Sequence, residues 1–247
     1  MQRTIEVLAD KAALVERGLA VVVEKIEQAI AQRGRCTLVL AGGSTPKPLY
    51  EALAQQDLPW GKLFIFWGDE RYVPMDHPDS NAGMAKAAWL DRVPIPPEQI
   101  FPMLTNVADP AIAAQQYEAT LTQCFATSEG AWPRFDVILL GIGDDAHTAS
   151  LFPGTAALTV SDRQVTVGDK AGQPRITLTA PLINQARAVV FLVAGANKQT
   201  ALAHIFADQD DNQRYPARLI HPDDGELWWL LDQEAGSGMA ASTLSDN

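Results

Sequence analysis

The chain has 247 residues, of which 47% are hydrophobic and 20% charged, a composition typical of a globular protein with a substantial core. Its net charge of −11 argues against nucleic acid or an acidic membrane as a partner, so any phosphate site must be locally positive. Residues 1–10 include acidic side chains where a signal peptide needs an apolar stretch, and no apolar run approaches the ~18 residues of a membrane span. We therefore expect a cytoplasmic protein. Cys36 and Cys124 are expected to be reduced and buried, and no Cys/His cluster indicates a metal site.

Helical and strand patterns alternate along the chain without an internal repeat or a linker. In chain order they predict a helix whose apolar face runs from Val15 to Ile30 and which stops at Gly34, a strand at 36–41, a helix at 46–56, a strand at 62–67, a loop at 68–81 and a short helix ending near Leu90. A helix at 111–125, strands at 135–141, 175–179 and 188–194, a helical turn at 181–185, a helix at 197–206 and a strand at 227–231 complete the prediction.

The predicted strands are apolar and alternate with helices, which predicts an α/β fold with a mostly parallel sheet and helices on both faces. We expect a single domain over residues 1–247, whose small and polar end, from Gly236 onward, is frayed. In such a sheet, ligands bind beyond the carboxyl ends of the strands. The candidate site therefore lies in the segments that follow residues 41, 67, 141 and 194.

The first of these segments, residues 42–46, reads Gly-Gly-Ser-Thr-Pro. Gly42 and Gly43 allow the backbone to approach a ligand closely, and Ser44 and Thr45 offer hydroxyl groups at the start of a helix. Because a helix N-terminus favours anions, the segment is a candidate phosphate cradle. A tight turn capped by Ser44 or Thr45 explains it equally well.

The second segment, residues 67–81, carries Asp69, Glu70 and Arg71 directly after a buried strand. Arg71 suits a forked contact with phosphate or carboxylate oxygens, and Asp69 or Glu70 suits holding Arg71 or binding sugar hydroxyls. A loop anchored by salt bridges is the alternative. Asn81 fits a helix start as well as a ligand contact, and His77 is expected in a cap or on the surface.

The third segment, residues 141–154, opens with Gly-x-Gly and continues through Asp145 and His147. A histidine in a glycine-opened loop at a strand end is a candidate general base, with a structural histidine as the alternative. Side chains two residues apart on a strand point to opposite faces. Asp145 therefore orients His147 only if the loop turns sharply, and otherwise binds sugar hydroxyls.

The fourth segment, residues 194–198, is a glycine turn that places Lys198 in the first turn of a helix. A lysine there opposes the helix dipole unless an anion lies nearby, which favours a phosphate contact over a solvent-exposed lysine. Arg175, at the start of its strand, is either a further cationic contact or a charge at the sheet edge.

Taken in this order, the segments resemble the 6-phosphogluconolactonase family over about residues 5–235. The matching blocks are Gly-Gly-Ser-Thr-Pro at 42–46, Asp-Glu-Arg at 69–71 with Val-Pro at 73–74, His-Pro-Asp-Ser-Asn at 77–81, Gly-x-Gly-x-Asp-x-His-Thr at 141–148 with Ser-Leu-Phe-Pro at 150–153, and Arg-Ile-Thr-Leu-Thr at 175–179. Ala146 departs from the family, which usually has glycine there. Because alanine resists positive φ, we expect that this position does not need a left-handed backbone.

The resemblance implies a three-layer α/β/α, Rossmann-like fold and hydrolysis of 6-phospho-D-glucono-1,5-lactone to 6-phosphogluconate in the pentose phosphate pathway. It implies no metal, no nucleotide or other cofactor, and a small sugar-phosphate lactone as partner, without an obligate protein partner. It also implies that His147 is the general base and that the 43–45 loop, Arg71 and Lys198 contact phosphate and oxyanion. The predicted catalytic residues are thus His147, Asp145 and Arg71, and the predicted substrate contacts are Gly43, Ser44, Thr45, Asp69, Asn81, Arg175 and Lys198.

The expected mechanism is direct attack of water on the lactone carbonyl, since no Ser or Cys nucleophile with a nearby base is visible in the sequence. His147 takes the proton of the water and later returns it to the ring oxygen. Arg71 or the backbone N–H groups of the 43–45 loop stabilise the oxyanion, and remote phosphate binding fixes the ring over His147.

Two other functions fit parts of the pattern. A deaminase or isomerase of amino-sugar phosphates on the same fold would use an acid near Asp69 as its base, although Arg-Tyr-Val-Pro at 71–74 is more similar to the lactonase branch. A non-catalytic sugar-phosphate sensor is the other alternative. Such sensors are usually fused to a DNA-binding helix-turn-helix, for which we expect no room in this acidic chain.

Overall fold

The computed structural model describes residues 2–126, 131–208 and 211–239. The strands within these ranges are β1 (Gln2–Leu8), β2 (Cys36–Leu40), β3 (Leu63–Trp67), β4 (Asp69–Arg71), β5 (Val137–Leu140), β6 (Val165–Lys170), β7 (Gln173–Leu178), β8 (Ala188–Val193) and β9 (Glu226–Asp232). The α-helices are α1 (Lys11–Arg33), α2 (Lys47–Leu53), α3 (Asn81–Ala88), α4 (Pro110–Phe125), α5 (Ala180–Asn184), α6 (Gln199–Ile205) and α7 (Gln233–Gly236). None of the helices described is both long and apolar enough to cross a membrane.

Six strands form one parallel sheet in the order β1-β9-β8-β5-β2-β3. All residues of β2, β5 and β8 are buried, as expected for strands that are covered on both faces. The predicted α/β fold with a mostly parallel sheet flanked by helices is therefore confirmed. The sheet brings the carboxyl ends of β2, β5 and β8 to one edge, which is where the candidate site was predicted.

A second, antiparallel sheet has the order β4-β7-β6, and it corrects part of the sequence analysis. The predicted strand at 175–179 belongs to this small sheet, as β7, and the predicted loop at 68–81 contains β4. The strands β1 and β6 were not predicted at all. Most of their residues are partly or fully exposed, and both strands include charges, so they lack the continuous apolar run that identifies a central strand.

Helix α1 begins earlier than its apolar face indicated and ends where it was predicted to end. Asp10 is its N-cap, because the Asp10 carboxylate accepts a hydrogen bond of 2.8 Å from the backbone N–H of Ala13. Gly34 is its C-cap at φ 76°, and the Gly34 N–H donates to the carbonyl of Ile30. The helix thus packs a long apolar stripe on the sheet and ends directly before β2.

The remaining differences concern burial and the chain end. Cys36 is fully buried, as expected, whereas Cys124 is only half-buried on α4. Gly236 was expected to start a frayed end, but it lies in α7, where a Cβ atom would come within 2.8 Å of Val7. Met239 also packs against the core. Residues 240–247 of the predicted frayed end lie outside the described residues.

The two-residue turn between β6 and β7 gives a test of the fold. Ala171 and Gly172 both have positive φ, 53° and 83°, as a type I′ turn requires, and Ala171 is exposed. Asparagine tolerates this conformation better than alanine, so we expect Ala171→Asn to raise the free energy of unfolding by roughly 0.5–1 kcal/mol. Urea denaturation measures this change. Ala171→Val is the opposing control and should destabilise the protein; equal stability of both variants would contradict the turn assignment.

Candidate active site

A cleft of about 560 Å³ lies at the carboxyl ends of β2, β5 and β8. Every predicted site residue except Asp145 lines it, so the structure brings together Gly43, Ser44, Thr45, Asp69, Arg71, Asn81, His147, Arg175 and Lys198. Asp145 is not among the lining residues, but its carboxylate contacts His147, which is. The four segments that follow the strand ends therefore meet in one place, together with Arg175 from β7.

The loop after β2 is held from two sides. The hydroxyl of Tyr50 accepts a hydrogen bond from the N–H of Ala41 at 2.9 Å and donates one to the carbonyl of the same residue at 2.8 Å. Gly42 lies against the amide of Asn81, where a Cβ atom would come within 1.9 Å of Asn81 Oδ1. A side chain at position 42 is therefore excluded by the approach of Asn81. Gly43, at φ 98°, then turns the backbone along the wall of the cleft.

The loop after β5 turns sharply enough for Asp145 to reach His147. Asp145 Oδ1 lies 2.6 Å from Nδ1 of His147 and also accepts a hydrogen bond of 3.1 Å from its backbone N–H. The turn is made by Ala146 at φ 62°, so the expectation that this position avoids a left-handed backbone is wrong. Gly143 completes the arrangement, because a Cβ atom there would lie 2.0 Å from His147 Nδ1.

One further contact and the pKa of Asp145 define the state of this pair. The ring of Phe152 lies 4.4 Å from the imidazole of His147, centroid to centroid, and Phe152 is itself buried. Partial burial alone would raise the pKa of Asp145, but the hydrogen bond from His147, together with the charge that His147 carries when it is protonated, holds it at about 2. Asp145 is therefore ionised throughout the neutral range and fixes Nδ1 of His147, which leaves Nε2 for other chemistry.

Two arginines lie side by side across the second sheet. Arg71 on β4 pairs directly with Arg175 on β7 in the antiparallel register. Burial and the neighbouring charge of Arg71 lower the pKa of Arg175, against the opposing effect of nearby carboxylates. The carbonyl of Asp79 accepts a hydrogen bond of 2.6 Å from Nη1 of Arg71 and so fixes this guanidinium. Two adjacent guanidinium groups at a cleft wall are suited to a doubly charged oxyanion.

The two acids beside Arg71 have different environments. Asp69 is buried at the cleft wall, accepts a hydrogen bond of 2.6 Å from the hydroxyl of Ser150 and lies 3.4 Å from Nδ2 of Asn81. Asn81 Nδ2 also donates to the Asp69 carbonyl at 2.9 Å, while Asn81 Oδ1 is buried without a protein partner among the described residues. These polar groups are held rigidly at the floor of the cleft.

Glu70 neither binds the Arg71 guanidinium nor lines the cleft. Its carboxylate accepts hydrogen bonds from the backbone N–H groups of Arg71, Asn81 and Ala82, at 2.7–2.8 Å, and from the Ser80 hydroxyl at 3.1 Å. Burial raises the pKa of Glu70, although these backbone donors lower it in part. Glu70 was predicted to hold Arg71 or to bind sugar hydroxyls. It holds Arg71, but only through the backbone N–H, and it connects β4 to the start of α3.

Lys198 is held by a protein carboxylate. It ends a short 3₁₀ helix, Ala196–Lys198, and α6 begins at the next residue. The sequence predicts a helix that begins at residue 197 instead. Its Nζ forms a hydrogen-bonded ion pair with Asp144. Gly195, at φ 98°, is anchored by the buried Asp232, whose carboxylate oxygens lie 3.0 and 3.1 Å from the Gly195 N–H. Asp144 is thus one anion that offsets the charge of Lys198.

Lys11 and Lys170 also line the cleft, although neither is among the residues predicted from the sequence. Lys11 is the first residue of α1, so the dipole argument that singled out Lys198 would have found it. Lys170 ends β6, and its Nζ lies 6.0 Å from the centroid of the Phe152 ring. Only the hairpin between β6 and β7 brings it to the cleft, and no local signal marks that position.

The family described as Glucosamine-6-phosphate isomerases/6-phosphogluconolactonase matches residues 9–229, so the fold and the cleft belong to a class of proteins named for sugar phosphates. A 6-phosphogluconolactonase from Synechocystis sp. is 60% identical over 239 residues, which cover 97% of this chain and 99% of the relative. A 6-phosphogluconolactonase structure from Trypanosoma brucei has a TM-score of 0.83 at 35% identity and covers 97% of this chain and 99% of that one. The chain belongs to the 6-phosphogluconolactonase family.

A more distant structure shares the fold alone. A monomeric glucosamine-6-phosphate deaminase has a TM-score of 0.78 at 18% identity, covering 97% of this chain and 100% of that one. The likeness shows that the same backbone architecture occurs in both branches. The side chains of the cleft must therefore separate the two activities.

The capping role of Glu70 gives a stability prediction. Glu70→Ala leaves three backbone N–H groups without their acceptor, so we expect the free energy of unfolding to fall by about 3 kcal/mol. Denaturant unfolding measures the loss. The matched control is Glu51→Ala, whose carboxylate is exposed and 3.9 Å from Lys47, and which should change stability by less than about 0.5 kcal/mol. A similar small loss in both variants would show that Glu70 does not hold the start of α3.

The pKa of Asp145 gives a prediction for acid stability. Its folded value of about 2 lies below the usual value of about 3.9, so its ionised form stabilises the fold above about pH 4. This stabilisation is lost as the pH falls towards 2. We therefore expect the difference in melting temperature between wild type and Asp145→Asn to be constant near pH 5 and to shrink progressively below pH 4. A difference that stays constant down to pH 3 would contradict the assigned pair.

Proposed function

We propose that this protein hydrolyses 6-phospho-D-glucono-1,5-lactone to 6-phosphogluconate, the lactonase step of the pentose phosphate pathway. The observation that carries the proposal is the Asp145–His147 pair at the wall of a cleft lined by basic side chains. Those side chains are Lys11, Arg71, Lys170, Arg175 and Lys198. They concentrate positive charge in a protein of net charge −11, as recognition of a phosphorylated substrate requires.

We assign the phosphate to the adjacent guanidinium groups of Arg71 and Arg175. A phosphate ester has several oxygens that accept charge-assisted hydrogen bonds, and it would offset the mutual repulsion of the two arginines. Lys198 is a further phosphate contact and is shared with Asp144. Lys11 and Lys170 add positive potential at the same cleft. Because the phosphate is remote from the lactone carbonyl, its binding energy positions the ring.

His147 is the general base in this proposal. With Nδ1 held by the ionised Asp145, its Nε2 takes a proton from the attacking water and later donates it to the ring oxygen that leaves the carbonyl. The packing of Phe152 against the imidazole limits the rotation of the base. Asp145 thus acts on His147 and does not contact the substrate. This role follows from the sharp turn at Ala146.

Water attack converts the planar lactone carbonyl into a tetrahedral oxyanion. The backbone N–H groups of the loop formed by Gly43, Ser44 and Thr45 stabilise that charge, and Arg71 is the alternative donor. Asp69 and Asn81, rigid at the floor of the cleft, bind the ring hydroxyls. The carbonyl–ring oxygen bond then breaks, and the product carries a carboxylate and a hydroxyl group.

Direct attack of water is favoured over an acyl-enzyme by the hydrogen bond of Ser150, one of two serines that line the cleft. The Ser150 hydroxyl donates to Asp69, which leaves it without a hydrogen bond to His147 among the described contacts. A nucleophilic serine needs a base within hydrogen-bond reach. The pair that holds the base is therefore separate from the buried Ser150–Asp69 pair.

The buried Asp69 also supports one alternative activity. An amino-sugar-phosphate deaminase or isomerase needs an acid near this position as its base, and Asp69 lies in the cleft. Release of ammonia from glucosamine 6-phosphate would favour that branch. The 60% identical relative named 6-phosphogluconolactonase supports the lactonase instead. We further propose that the enzyme acts in the cytoplasm as a single domain, without a metal or another cofactor.

The first experiment generates the lactone in place with glucose-6-phosphate dehydrogenase and follows its disappearance. We expect rapid hydrolysis by the wild type and a loss of about 10²–10⁴-fold in kcat/KM for His147→Ala, because a positioned base is removed. His77→Ala is the matched control, since His77 lies exposed in a turn where its Nδ1 accepts a hydrogen bond from the Asp79 N–H at 3.1 Å.

The outcomes separate the function from the assignment of the base. Fast hydrolysis by wild type and by His147→Ala alike would retain the lactonase and exclude His147 as the base. No acceleration over spontaneous hydrolysis by the folded wild type would exclude the lactonase itself. Activity retained in His77→Ala but lost in His147→Ala supports both parts of the proposal.

A further inference from the structure

A second cleft, of about 290 Å³, lies at the opposite edge of the parallel sheet. It is formed where β5, β8 and β9 begin and where α1 ends, and it is lined by four basic side chains, namely Lys25, Arg33, Arg134 and Arg187. Three carboxylates, Asp136, Asp224 and Glu226, lie among them. None of these residues lines the catalytic cleft, so the two clefts have separate walls.

The carboxylates of this cleft are already engaged by other groups. Glu226 lies 2.9 Å from Nζ of Lys25 and accepts a second hydrogen bond, from the indole of Trp228. Asp224 lies 2.5 Å from Nη2 of Arg134. Each of these two carboxylates therefore has one cation as its own partner.

Asp136 is shared most widely. One of its oxygens accepts hydrogen bonds from the N–H and the hydroxyl of Thr37, and the other accepts from Nε of Arg33 at 2.7 Å. Arg187 Nε is 3.5 Å from that second oxygen, without hydrogen-bond geometry. Asp136 therefore pairs with two cations, and its ion pair with Arg187 is the longer one and has no hydrogen bond.

Two buried donors in this cleft have no acceptor. The Nε atoms of Arg134 and Arg187 are both buried and lack a hydrogen-bond partner among the described residues. A buried guanidinium N–H that stays unpaired costs free energy, and such groups are uncommon in folded proteins. Burial and the charges of Arg134 and Arg33 lower the pKa of Arg187, as expected where positive charge is not fully offset. Because the side chains of Arg134 and Arg187 are still 33% and 38% exposed, an anion in the cleft would contact the exposed part of both and offset this positive charge.

We propose that this second cleft binds the phosphate group of a small phosphorylated metabolite. Arg33, Arg134 and Arg187 come from three different parts of the chain and line the same cleft. A planar carboxylate is satisfied by one forked guanidinium, whereas a tetrahedral, doubly charged phosphate accepts from several directions. The volume is at the lower end of the range for small-molecule sites, so it suits a small ligand.

The sheet connects this cleft to the catalytic one. Asp136 and Arg187 directly precede β5 and β8, and these same strands end at the His147 loop and the Gly195 turn. At about 3.3 Å per residue, the six residues of β8 separate the two clefts by roughly 20 Å. A phosphate bound at one edge therefore does not touch a substrate bound at the other, and the two sites can be tested independently.

The test is a titration of the protein with inorganic phosphate that measures binding in the second cleft. The side-chain Nε–Hε signals of arginine are followed by ¹H–¹⁵N NMR on the full chain at constant ionic strength. We expect the signals of Arg134 and Arg187 to shift and to saturate with a single-site isotherm, while that of Arg163, an exposed arginine beside Asp162, does not. Acetate at equal concentration should produce no saturating shift. Because the readout is local, phosphate bound in the catalytic cleft does not affect it.

Two variants test whether Arg134 and Arg187 bind the phosphate. Arg187→Gln should weaken phosphate binding, read at Arg134, by at least about tenfold, because a charge-assisted hydrogen bond is removed. Arg134→Gln, read at Arg187, should do the same, and it keeps the proposal testable if the first variant does not fold. Hydrolysis of the lactone should be unchanged in both. Shifts no larger than that of Arg163, shifts equal for acetate and phosphate, or unaltered affinity in a folded variant would overturn the proposal.

Discussion

The parallel pairing of β2, β5 and β8 is the constraint on which the rest of the structure depends. Parallel strands begin at one edge of a sheet and end at the other, so loops that are far apart in sequence meet at the carboxyl ends. The Gly42 loop, the His147 loop and the Gly195 turn converge in this way. The same pairing gathers Asp136 and Arg187 at the starting edge, directly before β5 and β8. One buried sheet thus sets the position of both clefts, and the small antiparallel sheet supplies the guanidinium groups of the catalytic one.

The orientation of the proposed base depends on a backbone conformation that alanine adopts at a cost. Ala146 and Ala149 have φ values of 62° and 48°, and a left-handed residue other than glycine costs about 1–2 kcal/mol. The surrounding structure holds the first of them, because the Ala217 N–H donates to the Ala146 carbonyl at 2.9 Å and the Ala146 methyl group is fully buried. The turn in return places the Asp145 carboxylate on His147. Strain in the loop is therefore coupled to a base that is already oriented before substrate arrives.

Much of this arrangement could be predicted from sequence, and the exceptions have physical causes. Continuous apolar runs identified β2, β3, β5, β8 and β9, and the strand ends then located the cleft. The strands β1, β4 and β6 each carry two or more charged residues, so they have no such signal. The adjacency of Arg71 and Arg175 is a consequence of antiparallel register, which no local pattern encodes. The contact between Asp145 and His147 likewise required the φ of Ala146, which its residue type argues against.

The charge distribution of the protein affects both the substrate that approaches the cleft and the product that leaves it. A net charge of −11 repels any phosphorylated sugar at long range, and the basic side chains of the catalytic cleft reverse the sign of the potential only locally. Hydrolysis of the lactone adds a carboxylate to a molecule that already carries phosphate. The product is therefore more negative than the substrate, and the acidic surface repels it more strongly once it leaves the cleft. Salt screens exposed charges more than partly buried ones, so added salt weakens the repulsion by the surface more than the attraction in the cleft. The acidic surface thus favours departure of the product.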